Sequence, residues 1–223
     1  MTMKLLFNAI MKFTAGFVLL AFFLFLPAGT IAYPKGWLFL GLLFVPMLFL
    51  GIFLFLKAPA LLEKRLNAKE KESTQKGVVA VSGLIFAVGF ILAGLDFRFG
   101  FSKMPFWVTV AASAVFLIAY ALYAEVMREN AYLSRTIEVQ KDQKVIDTGL
   151  YGIVRHPMYF ATVLLFLVLP LVLGSWISFA VFCFYPVPII IRILNEEKIL
   201  AEELDGYRDY QKKIRYRLIP FIW

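Results

Sequence analysis

The sequence predicts an all-α, polytopic membrane protein with about six membrane segments, the last two forming a C-terminal helical hairpin. Three observations predict it. Apolar residues make up 61% of the 223-residue chain and charged residues 17%, against about 45–50% and about 25% in ordinary soluble domains. Mean hydropathy is +0.80. The apolar residues gather into long blocks, close to the roughly 20 residues that a bilayer core of about 30 Å demands. The basic residues are sorted between the two ends of those blocks as the positive-inside rule describes.

The first block runs from Phe13 to Ala32. It is too long for the apolar part of a secretory signal, so it reads as a retained span. The second runs from Trp37 to Leu56, the third from Gly77 to Leu95, and the fourth from Pro105 to Met127. The fifth, Pro157 to Ile191, has 35 residues without a charge. As one helix it would be about 52 Å long, far more than the core of about 30 Å. It must fold back. Gly174-Ser175 near its middle supplies a turn. Pro170, Pro186 and Pro188 shorten or kink the arms. Residues 1–127 thus form four transmembrane helices. Residues 128–223 carry the hairpin 157–191 and a tail, all within one domain.

The charge distribution tests that count. With the N-terminus in the cytoplasm, 20 of the 23 Lys and Arg lie on the cytoplasmic side. Lys35, Arg98 and Lys103 lie outside. A single-span fifth block would carry the 7 basic residues from Arg192 onward to the wrong side. Both termini are therefore expected in the cytoplasm. The net charge of +8 follows from this sorting and from attraction to anionic lipid, so no nucleic-acid partner is implied.

The remaining features read simply. Lys57–Lys76 is a solvated connection. Asn195–Tyr216 has helical spacing, with Ile199, Leu200 and Leu204 on one side. The apolar end Leu218–Trp223 returns to the interface. Trp37, Trp107 and Trp223 are interfacial belt residues, and Gly83, Gly89 and Gly94 ease helix packing. Asp96 and Arg98 make an exposed loop pair. One cysteine, Cys183, excludes an internal disulfide and a cysteine metal cluster. One histidine, His156, excludes a His-rich metal site, and no metal is expected.

Two segments carry groups capable of chemistry. Asp147-Thr-Gly-Leu-Tyr-Gly-Ile-Val-Arg-His-Pro-Met-Tyr159 enters the hairpin. Gly149 and Gly152 permit tight turns and close approach of a ligand. Pro157 suits a helix start, whose unpaired N–H groups attract a carboxylate or a hydroxyl-rich ligand. Tyr151 and Tyr159 offer aromatic faces. The same residues also suit an interfacial anchor. The second segment is Arg192-Ile-Leu-Asn-Glu196-Glu197, where Arg192 and Glu196 share a helix face. Charge at the membrane boundary is paired or functional. Glu196 suits a cationic amino group or ribose hydroxyls, and Arg192 an anionic group. A mutually satisfied Arg192–Glu196 pair is the other reading. Both segments flank one hairpin on one side.

Several motifs carry a resemblance. They are Thr148-Gly149-Leu150-Tyr151, Val154-Arg155-His156-Pro157-Met158-Tyr159, Glu196-Glu197-Lys198-Ile199-Leu200, Gly206-Tyr207-Arg208-Asp209-Tyr210 and Arg217-Leu218-Ile219-Pro220-Phe221. In order and spacing, from about Gln140 onward, they resemble the isoprenylcysteine carboxyl methyltransferase and phospholipid methyltransferase superfamily. The resemblance implies a membrane-embedded methyltransferase with a cytoplasmic pocket for S-adenosylmethionine. It implies cofactor contacts from Gln140, Gln143, Lys144, Val145, Ile146, Tyr151, His156, Pro157, Met158, Tyr159 and Glu196. Arg192 faces the substrate, and Arg192 and Glu196 are the implied catalytic pair. The tail Ile214-Arg-Tyr-Arg-Leu differs from the Arg-Val-Pro pattern of the eukaryotic prenyl enzymes.

Methyl transfer from a sulfonium is an in-line displacement, so positioning donor and acceptor is the main task. The expected partners are the bilayer and a lipophilic small-molecule or lipidated acceptor that enters sideways. Two rivals stand. Sterol reductases resemble the superfamily in their C-terminal half and use a nicotinamide cofactor, but the acidic Glu196-Glu197 pair suits a cation better than a polyphosphate. A transporter or scaffold usually carries ionisable residues within its spans, and these blocks are nearly free of them.

Overall fold

The computed structural model describes residues 2–67, 73–134 and 139–223. In chain order the helices are α1 (Thr2–Ala28), α2 (Pro34–Lys57), α3 (Pro59–Leu66), α4 (Ser73–Phe99), α5 (Phe106–Glu129), α6 (Pro157–Leu173), α7 (Trp176–Phe182), α8 (Pro186–Glu203) and α9 (Tyr207–Lys213), with no strand among the described residues. Among the described residues, five stretches are long and apolar enough to cross a membrane, with α7 and α8 together as the fifth, and the 17-residue α6 is a shorter apolar helix. At about 1.5 Å per residue α6 is about 26 Å long, close to the bilayer core. The chain is an all-α, multi-pass integral membrane protein.

The hairpin turns at the expected place. Gly174 ends α6 with φ +82°, a left-handed conformation that glycine adopts without strain. Ser175 caps α7 by accepting a hydrogen bond from the Ser178 N–H. Pro186 then opens α8. The returning arm is longer than expected. It runs past Ile191 to Glu203, so Arg192, Glu196 and Glu197 ride on one helix.

Phenylalanines fill the interior. Phe39, Phe116 and Phe182 are fully buried, and the Phe86 ring meets those of Phe90, Phe166, Phe182 and Tyr185. Gly89 leaves room for the Phe182 ring, and Gly94 lets α1 approach at the Leu24 carbonyl. Gly83 is not a packing position: nothing lies within 4 Å of where its side chain would start, and it lines a cavity.

The five long apolar stretches and the shorter α6 bring both described ends of the chain to one side of the bundle. Leu5, Leu54, Leu61, Leu62 and Met127 cluster there. This corrects the reading of Lys57–Lys76 as a wholly solvated connection. Its apolar Leu61-Leu62 pair folds α3 back against the bundle, while residues 68–72 lie outside the described residues. The expected helix over Asn195–Tyr216 is also broken, because Gly206 takes φ +81° between α8 and α9.

On the far side, Asp96 and Arg98 are not an exposed pair. Asp96 is 3% exposed and accepts hydrogen bonds from the Ser102 N–H (2.6 Å), the Ser102 hydroxyl and the Ser175 hydroxyl. The hairpin turn and the α4–α5 loop close over the end of α4 and satisfy its carboxylate. Arg98 lies over the Phe99 ring at 5.5 Å.

Candidate functional site

The site is built where the α5–α6 loop, α8 and the tail meet. Gly149 opens a single 3-10 turn with φ +56°. A side chain there would run into the Glu129 carboxylate, which accepts the Leu150 N–H at 3.0 and 3.1 Å. This turn buries Tyr151. The Tyr151 hydroxyl accepts from the Asn130 amide at 3.0 Å, and its carbonyl accepts the Tyr210 hydroxyl at 2.8 Å.

The tail fastens the start of α6. The Arg155 and His156 N–H groups donate to the Tyr216 and Arg217 carbonyls at 2.9 and 2.8 Å. These two donors of the helix entry are thus paired with the chain's own backbone. Below them lies Glu197, 4% exposed. It accepts from Arg155 Nε at 2.6 Å, His156 Nε2 at 3.2 Å and Arg217 Nε at 2.8 Å. Opposite a carboxylate that only accepts, Nε2 is the protonated ring nitrogen. Buried charge is tolerated when paired and hydrogen-bonded in this way.

Glu196, one residue earlier, points elsewhere. It accepts the Tyr159 hydroxyl, and that same hydroxyl accepts from Arg192 Nε at 2.8 Å. Arg192 Nη1 also reaches Gln75 Oε1 on α4 at 2.9 Å. Arg192 and Glu196 are therefore joined through Tyr159, and α4 enters the network.

Tyr159, Arg192 and Glu196 face one cavity of about 1120 Å³, larger than the roughly 300–1,000 Å³ of a pocket for one small molecule. Ten of the residues singled out in the sequence line it: Gln143, Lys144, Val145 and Ile146; Tyr151, His156, Met158 and Tyr159; Arg192 and Glu196. Gln140 and Pro157 stand behind it. The Gln140 amide donates to the Tyr132 carbonyl and accepts from Lys64. Pro157 is the first residue of α6 and is buried. From the polar end an apolar arm runs past Phe13, Met47, Gly83 and Phe86. Ile52 on α2 and Val79 on α4 line it and are about half exposed, so the arm opens sideways.

Other residues at the site were not singled out in the sequence. Arg65 on α3 reaches the Tyr123 hydroxyl, the Ser134 carbonyl and the Met158 sulfur. No motif announced it. Tyr207 and Arg217 lay inside quoted motifs without a role. Tyr207 also lines the cavity. Burial and then the nearby Glu197 and Glu196 charges push its phenol pKa up.

Residues 107–205 match the family model described as phospholipid methyltransferase. The match takes in just under half of the chain, and it is to a family within the superfamily that the motifs resemble. The family match supports a membrane methyltransferase. The matched region contains Gln140 to Ile146, the Tyr151–Tyr159 segment and α8 through Glu196 and Glu197. A further similarity is to a Delta(14)-sterol reductase of Methylotuvimicrobium alcaliphilum, 26% identical over 139 residues. That match takes in 54% of this chain and 32% of the reductase, so the chain spans about a third of that relative's length.

Proposed function

We propose that the protein transfers a methyl group from S-adenosylmethionine to a lipophilic acceptor at the cytoplasmic membrane face. The observation that carries this reading is the single cavity joining a polar end, with the Glu196 carboxylate, to an apolar arm open to the side. The polar end fits a cationic nucleoside. It presents a carboxylate, a buried tyrosine hydroxyl and walls of Val145, Leu200 and Leu204. Glu196 would hold the amino group or the ribose hydroxyls. Gln143 to Ile146, Tyr151, and His156 with Met158 and Tyr159 would frame the rest. Gln140 and Pro157 would act through the loop and helix that they set.

When bound, the sulfonium supplies an activated methyl group. The chain's own task is then to orient and to exclude water. Arg192, fixed by Tyr159 and Gln75, would hold an anionic part of the acceptor. Positioning alone lowers a bimolecular barrier by about 7–11 kcal/mol in favourable cases. An acceptor that arrives as a carboxylate or thiolate needs no base. An amine must lose a proton, and Glu196 is the carboxylate facing the cavity. His156 is not assigned as a base, because its Nε2 is engaged with Glu197.

A second reading, a nicotinamide-dependent membrane reductase, has the similarity to the Delta(14)-sterol reductase in its favour. The acidic pair argues against it less strongly than the sequence suggests, since the Glu197 charge is matched by Arg155 and Arg217. Membranes containing the protein, given methyl-labelled S-adenosylmethionine, should pass label into the lipid extract. Glu196→Ala membranes should not. Equal labelling in both would overturn the site, and no labelling above protein-free membranes across lipid and thiol acceptors would overturn the reaction.

A further inference from the structure

Tyr207 holds a buried hydroxyl that the fold does not use. Its side chain is 4% exposed, its oxygen has no hydrogen-bond partner among the described residues, and it lines the cavity. Native proteins leave few buried polar groups unpaired, and each one calls for an explanation. Neighbouring tyrosines are engaged. Tyr210 donates to the Tyr151 carbonyl, Tyr151 accepts from Asn130, and Tyr159 donates to Glu196. Gly206, at φ +81°, turns the chain so that Tyr207 packs with Leu204, Tyr210 and Ile214, with Val145 and Leu200 against them.

We propose that the Tyr207 hydroxyl is a ligand-binding group that hydrogen-bonds the edge of the adenine base. This rests on the S-adenosylmethionine reading above and assigns the base subsite within it. The chemistry of the slot selects the partner. Val145, Leu200, Leu204 and Tyr210 form apolar and aromatic walls on the cavity, which suit a flat heterocycle. The Glu197 and Glu196 charges outweigh that of Arg155 at Tyr207, so a neutral acceptor suits the slot better than an anion. Burial and those carboxylates push the phenol pKa up, so the hydroxyl stays protonated at neutral pH and can donate. A neutral ring nitrogen satisfies these conditions, whereas the ribose hydroxyls and the amino group are better served by the Glu196 carboxylate.

The test is binding of S-adenosylhomocysteine to the detergent-purified full chain and to Tyr207→Phe. Phenylalanine keeps the ring and removes only the unpartnered oxygen, so the fold is preserved. The affinity should fall about tenfold, within the range of one buried hydrogen bond. The Tm of the ligand-free variant should stay the same or rise, since no contact is lost. Analogues lacking one base nitrogen at a time, or the 6-amino group, complete a double-mutant cycle. One of them should weaken binding to the wild type and have no further effect on Tyr207→Phe. Equal affinities of wild type and variant, or no analogue coupled to the substitution, would overturn the base contact and leave the methyl-donor reading standing. A lowered Tm with unchanged affinity would make Tyr207 structural and overturn it as well. Failure of the wild type itself to bind would overturn the methyl-donor reading, and this inference with it.

Discussion

Glu197 and Glu196 are adjacent acids with opposite expected roles, and replacing each in turn separates them. The Glu197 side chain is 5% exposed, as is that of Arg155, while Arg217 is 33% exposed. Removing one partner of a buried ion pair costs about 3–5 kcal/mol, because the other charge is left uncompensated. For Glu197→Ala the stranded charge is chiefly Arg155. In a chain of this length about 1 kcal/mol moves Tm by about 2–4 °C, so the expected fall is about 6–20 °C. The tail should loosen with it, since Arg155 also donates to the Ile214 and Arg215 carbonyls. Tryptophan fluorescence during heating, in one fixed detergent, reads this out. Glu196→Ala removes a group that faces the cavity, so its Tm should stay within about 3 °C of wild type, equivalent to about 1 kcal/mol, while ligand binding is lost. A Glu197→Ala protein with wild-type Tm would refute the assignment of Glu197 as the buried hub. Loss of stability in Glu196→Ala equal to that in Glu197→Ala would refute the division of roles.

Three other outcomes are expected. Gly149→Ala combines a left-handed backbone, costing about 1–2 kcal/mol for other residues, with collision against Glu129, so its Tm should drop and ligand affinity weaken in calorimetry. Asp96→Asn keeps the size of the side chain but weakens a buried, charge-assisted cluster with Ser102 and Ser175. It should lower Tm by the equivalent of about 1–3 kcal/mol with no change in ligand affinity, because it lies at the far end of the bundle. Lys213 holds the Asp147 carboxyl below its ordinary pKa. A depressed carboxylate stabilises the fold above its unfolded-state pKa and loses that contribution as pH falls through its folded-state value. The Tm values of wild type and Asp147→Asn should therefore converge on acidification.

Much of this architecture is legible in the sequence because lipid imposes simple rules. Spans follow from apolar length, and the hairpin follows from 35 uncharged residues interrupted by Gly174-Ser175. The candidate site is legible in part. Ten named residues line one cavity because the motifs that carry them flank the same hairpin. What escaped notice depended on contacts between distant segments. Nothing local marks Arg65 or Gln75, which reach the site from α3 and α4. The Glu196-Glu197 pair reads as one acidic unit in sequence. On α8 successive residues point about 100° apart, so one faces the cavity and the other the Arg155–His156–Arg217 cluster. Asp96 next to Arg98 suggested a surface pair, but i and i+2 positions on a helix do not face each other, and Ser102 and Ser175 took the carboxylate instead.

The most direct test of the central claim is calorimetric titration of the detergent-purified protein with S-adenosylmethionine and, separately, with NADPH. The account predicts saturable binding of S-adenosylmethionine that Glu196→Ala abolishes, and no binding of NADPH. Saturable NADPH binding without S-adenosylmethionine binding would contradict it and assign the cavity to a reductase.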